Sequence, residues 1–330
     1  MLKNRLRSNS NLPTKGGPAT GGKSTRAGFG EALLALAQKN KDIVVVSADL
    51  AESTRLQAFA KKFPQRFIEV GVAEQNMMGV AAGLALSGKI AVAASFAVFS
   101  PGRNWDQLRI SVCYSDANVK IIGSHAGLSV GEDGASHQAL EDIAITRCLP
   151  NLTIISPADY IEAKKATMAM LKIKGPVYLR LTRPDTSIFT TEKTPFKIGQ
   201  ANILLKGKDA TLVAHGPILS EALQAAHILS KEKISVEIIN CHTIKPLDTK
   251  TILRSAQKTR AVITLEDHQI NGGLGSAVAE LLSEKLPTPL WRLGAHDTFG
   301  ESGDYKQLWQ KYGIDSQSII SHIKNIVSKK

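Results

Sequence analysis

Residues 67–76 read FIEVGVAEQN, and the chain continues through 77–86 as MMGVAAGLAL. Phe67 to Val70 form a strand-like run that Gly71 ends. The residues after it are apolar on every side, with Gly79 and Gly83 one turn apart, which predicts a buried helix. Glu74 stands in its first turn. A buried carboxylate is costly without a partner, and no basic residue follows it within a dozen positions. Glu74 therefore either caps its own helix or serves something the sequence does not contain.

The strand–helix alternation extends in both directions. Probable strands are IVVVSAD (43–49), FIEVG (67–71), KIAVAAS (89–95), VKIIGSH (119–125), LTIISP (152–157) and VYLRLT (177–182). Continuous apolar strands of this kind are buried on both faces, as in a parallel sheet. Helical patterns such as TRAGFGEALLALAQ and YIEAKKATMAMLK lie between them. This predicts an α/β domain over 25–185. The polar, aperiodic stretch RPDTSIFTTEKTPFK (183–197) predicts a linker over 186–197. Alternation then resumes with ATLVAHG, ILSEALQAAHILSK, SVEIIN, AVITLED and PLWRLG, a second and smaller α/β domain over 198–330. The expected fold class is α/β, with two domains that each carry a mostly parallel sheet flanked by helices.

A chain of 330 residues is long enough for two such domains. No apolar run is long enough to span a membrane. The start lacks the apolar region of a secretory signal, and residues 1–24 read as a flexible basic tail. The formal net charge is +12, and half of it comes from Lys3, Arg5, Arg7, Lys15, Lys23 and Arg26. A nucleic-acid partner would rest on that tail alone, without interleaved aromatics, so none is expected. A mildly basic body suits small anionic substrates. Cys113, Cys148 and Cys241 are far apart and odd in number, which points to a reducing, cytoplasmic setting. GGLGSAV (272–278) partly imitates a dinucleotide glycine fingerprint, but its strand ends several residues too early. A tight turn with close helix packing accounts for those glycines without a ligand.

Ligands of open α/β sheets sit beyond the carboxyl ends of the strands. The residues there are Asp49 and Ser53, then Glu74, then Phe96 and Phe99, then His125, Asp133 and His137, and finally Arg183. The loop SHAGLSVGEDGASHQ is the most unusual, because loops of this length in compact domains are usually functional. Capping by Ser136 or Asp133 explains its glycines and not its two histidines, and His125 and His137 are too far apart for a local metal clip.

Four stretches in order, FIEVGVAEQNMMGVAAGLA, SFAVFSPGRNWDQLRISV, GSHAGLSVGEDGASHQALEDIA and GPVYLRLTRP, closely resemble the pyrimidine-binding domain of transketolase. Residues 198–330 look like its C-terminal domain. The resemblance covers nearly the whole chain after the tail. It implies that Glu74 is catalytic and bonds N1′ of the aminopyrimidine ring of thiamine diphosphate. It implies that Phe96 and Phe99 pack around that ring, with His137 near it and Asp49 at the cofactor-facing end of the first strand. Arg26, Ser53, His125 and Arg183 match residues that hold a sugar phosphate, where the planar fork of arginine suits the anion. Asp133 matches a carboxylate that contacts a donor hydroxyl. Gly102 stands where many single-chain transketolases carry tyrosine, so another residue is expected to complete the pocket wall. His215, His242, His268 and His296 are expected to be structural or interface residues.

One departure shapes the expectation. The GDG…N motif that holds magnesium and the diphosphate in transketolases does not occur, and GEDG (131–134) belongs to the other domain. The resemblance therefore implies the C-terminal subunit of a split transketolase. An N-terminal subunit would carry most of the Mg2+ and diphosphate site, in an α2β2 assembly that moves a ketol unit between sugar phosphates of the pentose phosphate pathway. The rival expectations are half of an enzyme like deoxyxylulose phosphate synthase, and a non-catalytic regulatory or scaffold paralogue.

Overall fold

The computed structural model describes residues 22–329. Lys3, Arg5, Arg7 and Lys15 of the basic tail lie outside the described residues. The first half of the chain runs α1 (Thr25–Lys39), β1 (Ile43–Ser47), α2 (Gln57–Lys62), β2 (Phe67–Glu69), α3 (Glu74–Leu86), β3 (Ile90–Phe96), α4 (Trp105–Gln107), β4 (Val119–Ser124), α5 (Asp142–Arg147), β5 (Thr153–Ile155), α6 (Tyr160–Met170) and β6 (Val177–Arg180). The second runs β7 (Asn202–Leu205), β8 (Ala210–Ala214), α7 (Leu219–Lys231), β9 (Val236–Asn240), β10 (Thr243–Lys245), α8 (Thr249–Thr259), β11 (Val262–Gln269), α9 (Leu274–Lys285), β12 (Leu290–Ala295), α10 (Tyr305–Lys311) and α11 (Ser316–Ser328). Each apolar run singled out in the sequence forms a strand, because β1, β4 and β6 are buried along their whole length between helical layers.

The first sheet has seven strands in the order β10-β5-β6-β4-β3-β1-β2. All its pairings are parallel except that of β10 with β5. The strand β10 comes from the second half of the chain and closes the edge of the first sheet. The second sheet has five strands, β12-β11-β8-β9-β7, parallel except for β7 with β9. The apolar core runs across the boundary, since Ile154 and Tyr178 share one cluster with Val213 and Ile239.

Two local features differ in outcome from what composition alone predicts. The helix α3 is not buried all round. Met77, Met78, Ala81, Ala82 and Ala85 face the core, while Gln75, Asn76, Gly79, Gly83 and Leu86 are exposed. A Cβ added at Gly79 or Gly83 would meet nothing within 4 Å. That face is open in the described residues, although the sequence around it is largely apolar. The glycine run 272–275, in contrast, has an internal explanation. Glu266 of β11 accepts hydrogen bonds from the backbone N–H groups of Leu274 and Gly275, both at 2.8 Å, at the start of α9. A Cβ on Gly273 would lie 2.0 Å from Glu266 Oε2. The position a phosphate would take at that helix start is filled by the protein's own carboxylate.

Candidate active site

Four elements bring side chains to one rim of the first sheet. Glu74 opens α3 after β2, Phe96 ends β3, Phe99 follows in the next turn, and His125 follows β4 directly. The rings of Phe96 and Phe99 lie nearly parallel, 17° apart, with centroids separated by 6.1 Å. The imidazole of His125 stacks on Phe96 at 3.8 Å. His137 stands edge-on to both rings, at 6.1 Å from Phe96 and 5.5 Å from Phe99. Flat rings arranged in this way form a platform for another flat ring.

Glu74 is 1% exposed, and its partner is Arg103. Nη1 of Arg103 donates to Oε2 of Glu74 at 2.6 Å, and the guanidinium carbon lies 4.6 Å from the centre of the Phe99 ring. Asn104 fixes the adjacent backbone by donating from Nδ2 to the Glu74 carbonyl and to Ser100 Oγ, both at 3.1 Å. A Cβ at position 102 would fall 2.1 Å from the Val98 carbonyl oxygen, so the wall beside Phe99 is filled by Arg103 and not from Gly102.

A cleft of about 340 Å³ is lined by Arg26, Arg55 and Arg183 together with Glu132, Asp304 and Tyr305, and its arginines lie close enough to act on His125 of the platform. Arg26 Nη1 donates to the Ser53 carbonyl at 2.7 Å. Arg183 Nη1 donates to the Val130 carbonyl at 2.7 Å and to Glu132 at 2.5 Å. Burial, then Arg55 and Arg183, pull the Arg26 guanidinium down to about 10, so it remains a cation at neutral pH. Burial, then Arg26 and Arg183, push His125 down to about 3, so its imidazole is neutral. Its Nδ1 lies 2.9 Å from Ser124 Oγ.

The loop between β4 and α5 is held from the second half of the chain. Asp267 of β11 accepts from the N–H of Leu128 at 2.7 Å and of Ser129 at 3.2 Å. Gly127 has φ +82°, and a Cβ there would lie 2.4 Å from Asp267 Oδ2. Gln138 Nε2 donates to the Glu301 carbonyl at 3.0 Å.

Of the residues singled out from sequence, Glu74, Phe96, Phe99, His125 and His137 form one cluster, continuous through Arg103. Arg26, Ser53 and Arg183 border the cleft or bond to a residue that does. Asp49 and Asp133 are exposed and make no hydrogen bond or ion pair with that cluster; Asp49 has φ +60°. His215, His242 and His268 are buried, whereas His296 is exposed. Arg55, Arg103, Asn104 and Asp267 were not among the candidates. Arg103 and Asn104 lie inside the stretch SFAVFSPGRNWDQLRISV, but their pairing with a residue in another element leaves no local pattern.

Residues 22–187 match the family model described as transketolase, pyrimidine binding domain, and residues 199–319 match that of the transketolase C-terminal domain. The chain belongs to the transketolase family. A Methanocaldococcus jannaschii chain provisionally named a transketolase C-terminal section is 47% identical, over 93% of this chain and 97% of that one. The 6-deoxy-6-sulfo-D-fructose transketolase subunit of a Clostridium species is 42% identical, over 90% of this chain and 92% of that one. A solved structure described as a split gene transketolase, inactive beta4 tetramer, superposes with a TM-score of 0.87 at 43% identity, covering 93% of this chain and 99% of that one. In this transketolase-family chain the aromatic cluster and the three cleft arginines fall in the first matched part, and Asp304 and Tyr305 of the cleft wall and the Asp267 and Glu301 supports fall in the second.

Proposed function

We propose that the chain is the C-terminal subunit of a two-chain transketolase that moves a two-carbon ketol unit between sugar phosphates in the pentose phosphate interconversions of the cytoplasm. The observation that carries this reading is the juxtaposition of a buried carboxylate, an aromatic platform and an arginine cleft on one rim. A buried carboxylate beside two parallel phenylalanine rings fits an aminopyrimidine, which asks for a flat apolar seat and one polar contact. Thiamine diphosphate, when bound, supplies the carbanion-stabilising chemistry that ketol transfer needs.

In this reading Glu74 bonds N1′ and holds the proton shared with it. Phe96 and Phe99 fix the plane of the ring and exclude water. His137 contributes an edge next to the ring, and Asp49 borders the cofactor side. Arg26, Ser53, His125 and Arg183 bind the substrate phosphate, with neutral His125 able to donate without adding charge. Asp133 reaches a donor hydroxyl. The division is a pyrimidine-binding part over 25–185, a link over 186–197 and a C-terminal part over 198–330. An N-terminal subunit supplies most of the Mg2+ and diphosphate contacts, in an α2β2 assembly. Exposure of the Gly79/Gly83 face of α3, flanked by Val72 at 71% and Leu86 at 65%, supports a covering chain.

The test is ketol transfer from xylulose 5-phosphate to ribose 5-phosphate with thiamine diphosphate and magnesium. The chain is assayed alone and mixed with a candidate N-terminal subunit. Activity only in the mixture, lost in Glu74→Ala, is the expected result. Transfer by the chain alone would refute the two-chain reading. A mixture that forms a complex and instead condenses pyruvate with glyceraldehyde phosphate would refute the transketolase substrate class.

A further inference from the structure

The guanidinium of Arg103 already meets the two conditions that an aminopyrimidine would meet. It is flat and nitrogen-rich, it donates to Glu74 Oε2 at 2.6 Å, and it lies over the face of Phe99 at 4.6 Å. Stacking on an aromatic face and bonding a carboxylate are the two interactions a guanidinium makes best. Glu74 is 1% exposed while the Arg103 side chain is 48% exposed. The carboxylate is thus fixed, and its partner has solvent to withdraw into. The backbone around it is pinned, by Asn104 on one side and by the Arg103 N–H, which donates to the Phe99 carbonyl at 2.9 Å, on the other. The arginine side chain is the part of the pair that borders solvent.

We propose that Arg103 is a self-ligand. It fills the aminopyrimidine seat while the cofactor is absent, and it swings out when the cofactor loads. The inference rests on the functional reading given above. The same carboxylate oxygen and the same ring face are not available to two flat donors at once. While Arg103 holds the seat, Glu74 keeps a charge partner, which spares a buried carboxylate from standing alone. Loading then requires the open form, and the measured affinity is the intrinsic one scaled by the open fraction. Arg103 is accordingly a gating residue that sets how tightly the cofactor is held. It is not a group that touches the reacting atoms.

The experiment is a titration of the assembled two-chain complex with thiamine diphosphate at saturating magnesium, followed by calorimetry. Wild type is compared with Arg103→Lys, Arg103→Gln and Arg103→Ala, each checked by thermal unfolding. A hydrogen bond to a charged group contributes enough that the Ala and Gln variants should bind roughly ten-fold to a hundred-fold tighter. The Lys variant, which keeps the charge and loses the flat stack, should fall between. Equal or weaker binding by Gln and Ala would overturn the proposal and make Arg103 a permanent support of Glu74. If Ala fails to fold, Gln decides, because it retains a donor for the buried carboxylate. Wild type that binds no cofactor would overturn the functional reading and the self-ligand with it, whereas binding without a gain in the variants sinks the self-ligand alone.

Discussion

Glu74 and Glu266 are both buried glutamates that meet the start of a helix, Glu74 from its first turn and Glu266 from the strand β11, and they have different kinds of partner. Glu266 accepts from two backbone N–H groups of α9, so its lone pairs are committed to the fold. Glu74 is bonded to a side chain, Arg103, that is half exposed. The start of α3 has no side-chain cap, and Glu74 does not supply one. A carboxylate tied to backbone cannot be released without opening a helix. One tied to an arginine is released by a rotamer change. The comparison separates a structural acid from an available one on geometry, where the sequence shows only two glutamates near glycines.

Four experiments test that contrast. Glu74→Gln in the assembled enzyme should lower ketol transfer by roughly a hundred-fold to ten-thousand-fold. Its urea midpoint should correspond to a stability change within about 1 kcal/mol, since the lost partner is half exposed. A large loss of stability with activity retained would reverse the assignment of the two glutamates. Glu266→Ala should do the opposite at the level of the fold. Orphaning two buried N–H groups should cost about 2–4 kcal/mol, read from urea unfolding monitored by circular dichroism.

The third experiment is a pH series. Burial pushes His125 down to about 3, and His242 and His268 down to about 4, from 6.5. These imidazoles bind protons more readily in the unfolded chain. Their contribution to stability is complete above 6.5 and is lost as the pH falls from there toward about 4 for His242 and His268 and about 3 for His125. Burial raises Glu266 and Glu162 to about 7 from 4.5, with the opposite sign: they weaken the fold as the pH rises between those values. His215 is lowered by burial as well and adds to the histidine side. The histidine contribution should appear as a loss of stability as the pH falls below 6.5, read from urea midpoints. Glu266→Gln removes one opposing contribution and should steepen that fall; an unchanged slope would refute the assignment to Glu266. The smallest effect is expected from Asp267→Asn, which retains one acceptor for two N–H donors. The KM for a phosphorylated substrate should rise roughly three-fold to ten-fold with kcat nearly unchanged. A kcat effect alone would place Asp267 outside substrate positioning.

Much of this molecule was legible before its coordinates, for identifiable reasons. The runs 43–49, 89–95, 119–125 and 177–182 are short, rich in Val, Ile and Ala or Leu, and bounded by turn residues, as strands covered on both faces are. Glu74, Phe96 and His125 stand just beyond or at the ends of such strands, so their convergence follows from the sheet. The strand β10 was not legible, because Thr243–Lys245 has only three residues and pairs across the two halves. The Arg103–Glu74 pair was not legible either, since 29 residues separate its members. The α3 face containing Gly79 and Gly83 shows why apolarity alone misleads: the run is apolar, yet Gly79, Gly83 and Leu86 are exposed.

The placement of β10 bears on how the chain is made. During synthesis the N-terminal half leaves the ribosome first, yet its sheet has an open edge at β5 until Lys245 has emerged. Unpaired edges recruit other strands. A ribosome stalled between β6 and β7, or a protease cut there, would release a half with that edge bare and its shared core uncovered. The two halves carry separate sheets but form a single unit of quality control, and fragments divided between β6 and β7 should be recovered as aggregates.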